Sequence, residues 1–358
     1  MRRVVIKIGS NVLTRDDGSL NYTRISSIVD QIVSIRKSGC KVILVSSGAV
    51  ACGRGILGKH LSRKLDPVQQ RQLYSAVGQV RLIGIYGKMF REWGISVGQV
   101  LTMKENFSTR RDYLNQRACM EVMLDNGIIP IVNENDTVSV TELMFTDNDE
   151  LSGLVASMID ADTLIILSSI DGLYNGSPKN PKSSVIRKVM PDDDLTHYIS
   201  SERSGFGRGG MLTKSSIARK VADEGIRVFI ANGNREDIIC KLYDNPDSVS
   251  CTEFIPRADG FSSVKKWIAH STDFTKGTVC IDESAEKVLT GKKAASLLLV
   301  GVTDIKGEFE EGDIIGIFNS SGRKLAIGKS AYNSNEAREM LGKHDCRPLV
   351  HYDYLYLL

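Results

Sequence analysis

Through the first 240 residues, short runs of consecutive apolar residues alternate with longer stretches where apolar positions recur every three or four residues. The runs are "RVVIKIG" (3–9), "KVILVSSGA" (41–49), "ISVGQVL" (95–101), "IIPIVNEND" (128–136), "TLIILSS" (163–169) and "RVFIAN" (227–232). Their apolar character predicts strands covered on both faces. The periodic stretches predict a helix over 22–39 closed by Gly39, and a long one from Asp66-Pro67 to Gly94. In the second, a capping acid precedes a proline in the first turn. Further helices are expected near 110–126, 149–160, 212–224 and 235–243. This alternation predicts an α/β fold with a mainly parallel sheet sandwiched between helices, over residues 1–255. Ligands of such sheets gather at the carboxyl ends of the strands.

After about residue 255 the pattern changes. "PRADGFSSVKKWIAH" reads as part of a linker over 256–272. From 273 to 358 come short strands at close intervals, separated by Gly and Asn-Ser-Ser-Gly turns, with helices only at 283–289 and 336–342. A small β-rich domain, barrel or sandwich, is expected there.

Composition adds bounds. At 358 residues, 42% apolar and 25% charged, the chain has the profile of a soluble globular protein of two or three domains. No apolar run approaches the roughly 20 residues of a membrane span, so no membrane partner is expected and the cytoplasm is the default location. The 7 cysteines lie far apart without a C-x-x-C pair, which argues for reduced thiols over zinc or disulfides. A net charge of +3 nominates no polyanionic partner.

The strand ends carry the chemistry. Lys7 lies inside an apolar strand, where an ammonium is costly unless it meets a fixed negative charge or points to water from an edge. The second run breaks into Ser46-Ser47-Gly48, a turn that suits either a plain helix cap or an anion at a helix start. "NENDTV" from Asn133 and "FTDNDE" up to Glu150 place two clusters of acids and amides on neighbouring loops. Together they suit the ammonium and carboxylate of a small substrate, or an indirect hold on hydrated Mg²⁺.

"GFGRGGMLTK" (205–214) holds four glycines ahead of a Thr-Lys pair. It fails as a Walker loop because Gly-Lys is missing. It matches G-x-G-x-x-G but follows no strand, so it is no dinucleotide fingerprint either. Its glycines can still form a backbone nest for an anion, ending at Lys214. The five histidines lie outside all these clusters, and no metal-ligand spacing or G-x-S-x-G elbow is present. Two lysines, an anion nest and no evident base point to phosphoryl transfer, which demands positioning and charge neutralisation. A carboxylate acceptor, ionised already at neutral pH, would need no base.

"VVIKIGSNVLT", "VILVSSGAVACGRGIL", "SAVGQVRLI", "IVNENDTV", "TDNDELSGLVA", "DGLYNGSP" and "GRGGMLTK", in this order, resemble the glutamate 5-kinases of the amino acid kinase family. The likeness spans the whole chain, and the tail is similar to a PUA domain. It implies the amino acid kinase fold and ATP-dependent, direct in-line phosphorylation of the γ-carboxylate of L-glutamate, opening proline biosynthesis. Lys7 and Lys214 would contact the transferred phosphate, and Asp149 would orient them. Mg²⁺ would be carried by ATP with Asp147 or Asp149 beside it. Glutamate would be held by Ser47, Gly48, Asn133, Asp136 and Asn148, with Asp136 facing the α-ammonium. ATP would lie over Lys7, Ser168, Ser169, Arg208, Gly209, Gly210, Met211, Leu212, Thr213 and Lys214.

The resemblance also implies feedback inhibition by proline and a homo-oligomer, dimer or tetramer. Two positions depart from the family pattern: Ser169 stands where an aspartate is frequent, and Arg208 where a small residue is common. Acetylglutamate, aspartate or a nucleoside monophosphate are the rival acceptors on this fold, and the two acid-and-amide loops favour free glutamate. From Ser263 onward 13 Lys/Arg face 13 Asp/Glu, a balance that argues against RNA binding by the PUA-like tail.

Overall fold

The computed structural model describes residues 2–15, 17–58, 65–139, 145, 147–178, 180, 182–195, 211–258, 263–271, 274–291, 294–344 and 346–358. The chain divides into two compact units, one of residues 1–104 and 114–260, the other of 105–113 and 261–358.

In the first unit the strands are β1 (Arg3–Ile8), β2 (Lys41–Ser46), β3 (Val97–Thr102), β4 (Ile129–Glu134), β5 (Thr163–Ser168), β6 (Lys188–Val189), β7 (Arg227–Asn232) and β8 (Cys251–Phe254). They pair in the order β3-β4-β2-β1-β5-β7-β8-β6. Every pairing is parallel except β7 with β8. The helices are α1 (Ser10–Leu13), α2 (Tyr22–Lys37), α3 (Ala49–Leu57), α4 (Pro67–Arg91), α5 (Arg110–Asp125, of which residues 110–113 count with the second unit), α6 (Asn148–Met158), α7 (Met211–Asp223) and α8 (Ile238–Asp244). The mainly parallel sheet expected from the alternation is therefore present. β6 and β8 are additions to the six strands expected.

Side chains from β1, β2, β4 and β5 meet those of α2 and α4 in one continuous core that includes Ile6, Val42, Ile131, Ile165, Ile32 and Tyr86. α4 begins with a full capping box, Asp66 accepting from the N–H groups of Val68 and Gln69 while the Gln69 side chain accepts from Asp66 N–H. It also packs unusually close to α3. A Cβ on Gly78 would lie 1.8 Å from the carbonyl oxygen of Ala49, so no larger residue fits without parting the helices. Each of the two short helices flanking the β1 and β2 ends follows a glycine, Gly9 before α1 and Gly48 before α3.

The second unit holds α9 (Ser263–Ala269), β9 (Gly277–Ile281), α10 (Glu283–Leu289), β10 (Val302–Lys306), β11 (Ile314–Phe318), β12 (Lys324–Lys329), α11 (Ser334–Glu339) and β13 (Leu355–Leu357). Its sheet runs β10-β9-β11-β12-β13, with β9 and β11 parallel and the other neighbours antiparallel. Val279, Ile315, Ile317, Leu297 and Val350 centre its own core. The stretch read as a linker carries α9, and Trp267 there is buried, its indole N–H donating to the Phe107 carbonyl at 3.1 Å. Among the described residues no helix is long and apolar enough to cross a membrane.

Candidate active site

Lys7 sits on a strand with neighbours on both sides, opposite Val45 of β2 and Ile166 of β5. The edge-strand alternative is thereby removed, and the ammonium has to find its charge inside. It does so on α6. Lys7 Nζ lies 2.5 Å from Asp149 Oδ1, and Lys214 Nζ, from the first turn of α7, lies 2.9 Å from Asp149 Oδ2. Asp149 is fully buried. Burial alone would push its carboxyl up, but the two lysines outweigh burial and hold it at about 2. One carboxylate thus spaces two cations at the carboxyl end of the sheet.

Asp147 caps the same helix, its Oδ1 accepting from the N–H groups of Asp149 at 2.9 Å and Glu150 at 3.1 Å. Burial and then the neighbouring Asp149 charge raise it to about 6, with Lys7 and Lys214 only partly offsetting them. Its other oxygen, Oδ2, is shielded from solvent and accepts no hydrogen bond among the described residues. A buried, under-compensated carboxylate oxygen near two lysines fits a Mg²⁺ carried by a nucleotide, since that ion takes one or two carboxylates plus phosphate oxygens.

Next to this charge cluster runs a chain of amides. Asn148 Nδ2 donates to Ser47 Oγ and to Asn133 Oδ1, both at 2.9 Å, and Asn133 Nδ2 donates to Gln79 Oε1 at 2.9 Å. Ser47 follows β2, whose last residue Ser46 is tied to the buried Tyr86 hydroxyl at 2.9 Å. Gly48 then turns the chain into α3 with φ of 105°, a left-handed conformation that a side chain would strain. Ser47, Asn133 and Asn148 therefore meet, and the last is the immediate neighbour of Asp149.

Asp136 lies a few residues beyond β4, where the structure gives it an internal cation. Arg71 Nε donates to Asp136 Oδ1 at 2.9 Å, Arg71 Nη2 pairs with the same oxygen, and Nη2 reaches Glu134 Oε2 at 3.0 Å. Ser75 Oγ donates to Asp136 Oδ2 at 3.1 Å. Glu134 Oε1 accepts from Phe145 N–H at 3.0 Å, which anchors the approach to α6. Glu134 belongs to the acid-and-amide cluster singled out in the sequence without a role of its own, whereas the α4 residues were not anticipated: Arg71, Ser75 and Gln79. These three recur every fourth residue along α4, a polar stripe that was there to be found.

The residues expected at the nucleotide divide into two groups. Ser168 ends β5 and Ser169 follows it, exposed, while Met211, Leu212, Thr213 and Lys214 form the first turn of α7. Arg208, Gly209 and Gly210, with the rest of the glycine-rich loop before α7, lie outside the described residues. Two positions past Ser169, Asp171 accepts from Arg235 Nε at 2.7 Å and Nη2 at 2.5 Å, and from Asn232 at 3.1 Å. A carboxylate is thus present near the end of β5, although it is displaced from position 169.

Two lysines bridged by one carboxylate lie at the strand ends of an open α/β sheet, beside a hydrogen-bonded chain of amides, an arrangement of the kind a phosphotransferase needs. The amino acid kinase family model matches residues 2–232 and the PUA domain model matches 277–351. The chain belongs to the amino acid kinase family. It is 61% identical over 355 residues to a protein of Bacteroides thetaiotaomicron named glutamate 5-kinase, covering 99% of this chain and 98% of that one. A protein of the same name from Chlorobaculum tepidum is 44% identical over 360 residues, covering 100% of this chain and 98% of the relative. Among solved structures, carbamate kinase from Giardia lamblia bound to AMP-PNP shares the fold, with a TM-score of 0.53 and 14% identity. That match covers 72% of this chain and 99% of the other.

Proposed function

We propose that this chain is a glutamate 5-kinase, transferring the γ-phosphoryl group of ATP to the γ-carboxylate of L-glutamate to give L-glutamyl 5-phosphate and ADP. This is the first step of proline biosynthesis. The observation that carries the reading is the buried Asp149 carboxylate bridging Lys7 and Lys214 next to the Ser47–Asn148–Asn133 chain. Full-length similarity to proteins of that name supports it.

In the proposed reaction an oxygen of the γ-carboxylate forms the new bond to phosphorus as the bond from phosphorus to the β,γ-bridging oxygen breaks. Charge then spreads over the equatorial oxygens of the phosphoryl group in flight. Lys7 and Lys214 neutralise that charge, and Asp149 fixes both ammonium groups beforehand, so little reorganisation is left for the reaction itself. Ser47, Gly48 and Asn148 position the γ-carboxylate, and Asp136 takes the α-ammonium. Asp147 would lie beside Mg²⁺ carried by ATP, and that ion would add further neutralisation of phosphate charge. The loop through Arg208, Gly209 and Gly210, with Met211, Leu212, Thr213, Ser168 and Ser169, belongs to the nucleotide side of the same proposal. Proline inhibition and self-association as a dimer or tetramer are part of the reading, to be measured by titrating proline into the assay and by light scattering.

The test is acyl-phosphate formation with Mg²⁺ and ATP, trapped by hydroxylamine as the hydroxamate. L-Glutamate, N-acetyl-L-glutamate and L-aspartate are compared side by side. Hydroxamate from L-glutamate alone is expected. A stronger signal with either of the others would keep the fold and overturn the acceptor.

A further inference from the structure

We infer that Arg71 holds the α-carboxylate of the acceptor amino acid and so determines specificity for a free α-amino acid. The inference rests on the proposed glutamate site and deepens it.

The argument starts from charge. Glu134 and Asp136 are two carboxylates with side chains only 6% and 7% exposed, and the single guanidinium of Arg71 bridges them. The trio is one negative charge in excess, which suits an incoming ammonium. In an α-amino acid, however, the ammonium nitrogen and the carboxylate carbon are only about 2.5 Å apart, being bonded to the same atom. An ammonium seated on Asp136 would bring its carboxylate against two like charges unless a cation stood between them. Arg71 stands there, with Nε 2.9 Å from Asp136 Oδ1. It is also the most exposed member of the trio, with its side chain 22% exposed.

The scaffold is rigid. The Asp66 capping box fixes the start of α4, just over one turn before Arg71, and Ser75 one turn later braces the far oxygen of Asp136. A guanidinium suits this task better than an ammonium because its five N–H donors can serve several oxygens at once, where an ammonium has three.

The experiment compares L-glutamate with L-isoglutamine, which keeps the γ-carboxylate and α-ammonium but carries a neutral carboxamide of similar shape in place of the α-carboxylate. kcat/KM is measured for both with the wild type, Arg71→Gln and Arg71→Lys, alongside a thermal melt of each protein. The wild type is expected to prefer L-glutamate by about 10- to 100-fold, the usual effect of a charge-assisted hydrogen bond. Arg71→Gln is expected to bring the two substrates within about threefold, by losing more activity on L-glutamate than on L-isoglutamine. Arg71→Lys should fall between them. If Arg71→Gln does not fold, Arg71→Lys decides, a preference cut by about threefold or more supporting the assignment. A wild-type preference that survives in the variants, with both substrates falling together, would overturn this assignment and leave Arg71 as a structural brace. A wild type inactive on both substrates would overturn the glutamate reading itself.

Discussion

Asp147 is expected to cost the ligand-free protein stability, and Asp147→Asn should give some of it back. The carboxyl is raised from 3.8 to about 6, first by burial and then by Asp149. A folded-state pKa above the unfolded value means that the group's favourable contribution is complete below about pH 4. It is lost as pH rises through about 6. Two units at 1.36 kcal/mol each put the ceiling at about 3 kcal/mol above pH 7. Asp147 is partly exposed, so water takes up some of this, and about 1–3 kcal/mol is the expected gain. Asparagine keeps the side-chain oxygen that caps α6, so the cap is not lost with the charge. The assay is urea unfolding followed by circular dichroism, without nucleotide, at pH 4.5 and 7.5. Asp147→Asn should be the more stable protein at pH 7.5, and the gap should narrow at pH 4.5. A variant no more stable than wild type at pH 7.5, or a gap independent of pH, would refute the reasoning.

The remaining expectations concern catalysis. Lys7→Ala and Lys214→Ala should each lower kcat by about 10²- to 10³-fold with little change in glutamate KM, the signature of cations that act on the transition state. Loss confined to KM in steady-state assays would contradict that role. Asp136→Asn should raise the glutamate KM by about 10-fold or more, because the charge facing the α-ammonium is removed, and an unchanged KM would remove the assignment. Mg²⁺-nucleotide affinity, followed by calorimetry, should weaken as pH falls through about 6, where Asp147 takes up its proton. Asp147→Asn should flatten that profile.

Much of this site could be read from the chain because its residues break local rules. A lysine inside an apolar strand and acids clustered on two neighbouring loops have no easy structural purpose, and Lys7 and the loop that carries Asp149 stood out in this way, while the link between Asp149 and the two lysines came from the family resemblance. Five of the six principal strands were legible because both of their faces are buried, so each is a near-continuous apolar run, whereas β3 at the sheet edge is only partly buried and mixes Gly98 and Gln99 with its apolar residues. β8 and β6 were not legible. "CTEF" mixes polar and apolar residues, and a pair of residues such as Lys188–Val189 carries no period at all. α9 was hidden by the Pro and Gly before it and by its length of 7 residues, although Trp267 and Ile268 are buried. Arg71 escaped for a different reason. Within a 25-residue helix its stripe with Ser75 and Gln79 reads as a solvated face, and only folding brings it to Asp136, 65 positions away. The raised Asp147 carboxyl is equally tertiary, since it depends on how deeply α6 begins beneath the surface.

Attack by the γ-carboxylate itself can be followed with an oxygen label. L-Glutamate carrying ¹⁸O in both γ-carboxylate oxygens is incubated with Mg²⁺, ATP and the protein, and the product is left to cyclise. The α-amine then attacks the acyl carbon, and 5-oxoproline and phosphate separate with the bridging oxygen on phosphorus. Phosphate bearing one ¹⁸O by mass spectrometry is the expected result. Unlabelled phosphate would mean that water and not the carboxylate received the phosphoryl group, and would contradict the glutamate kinase assignment.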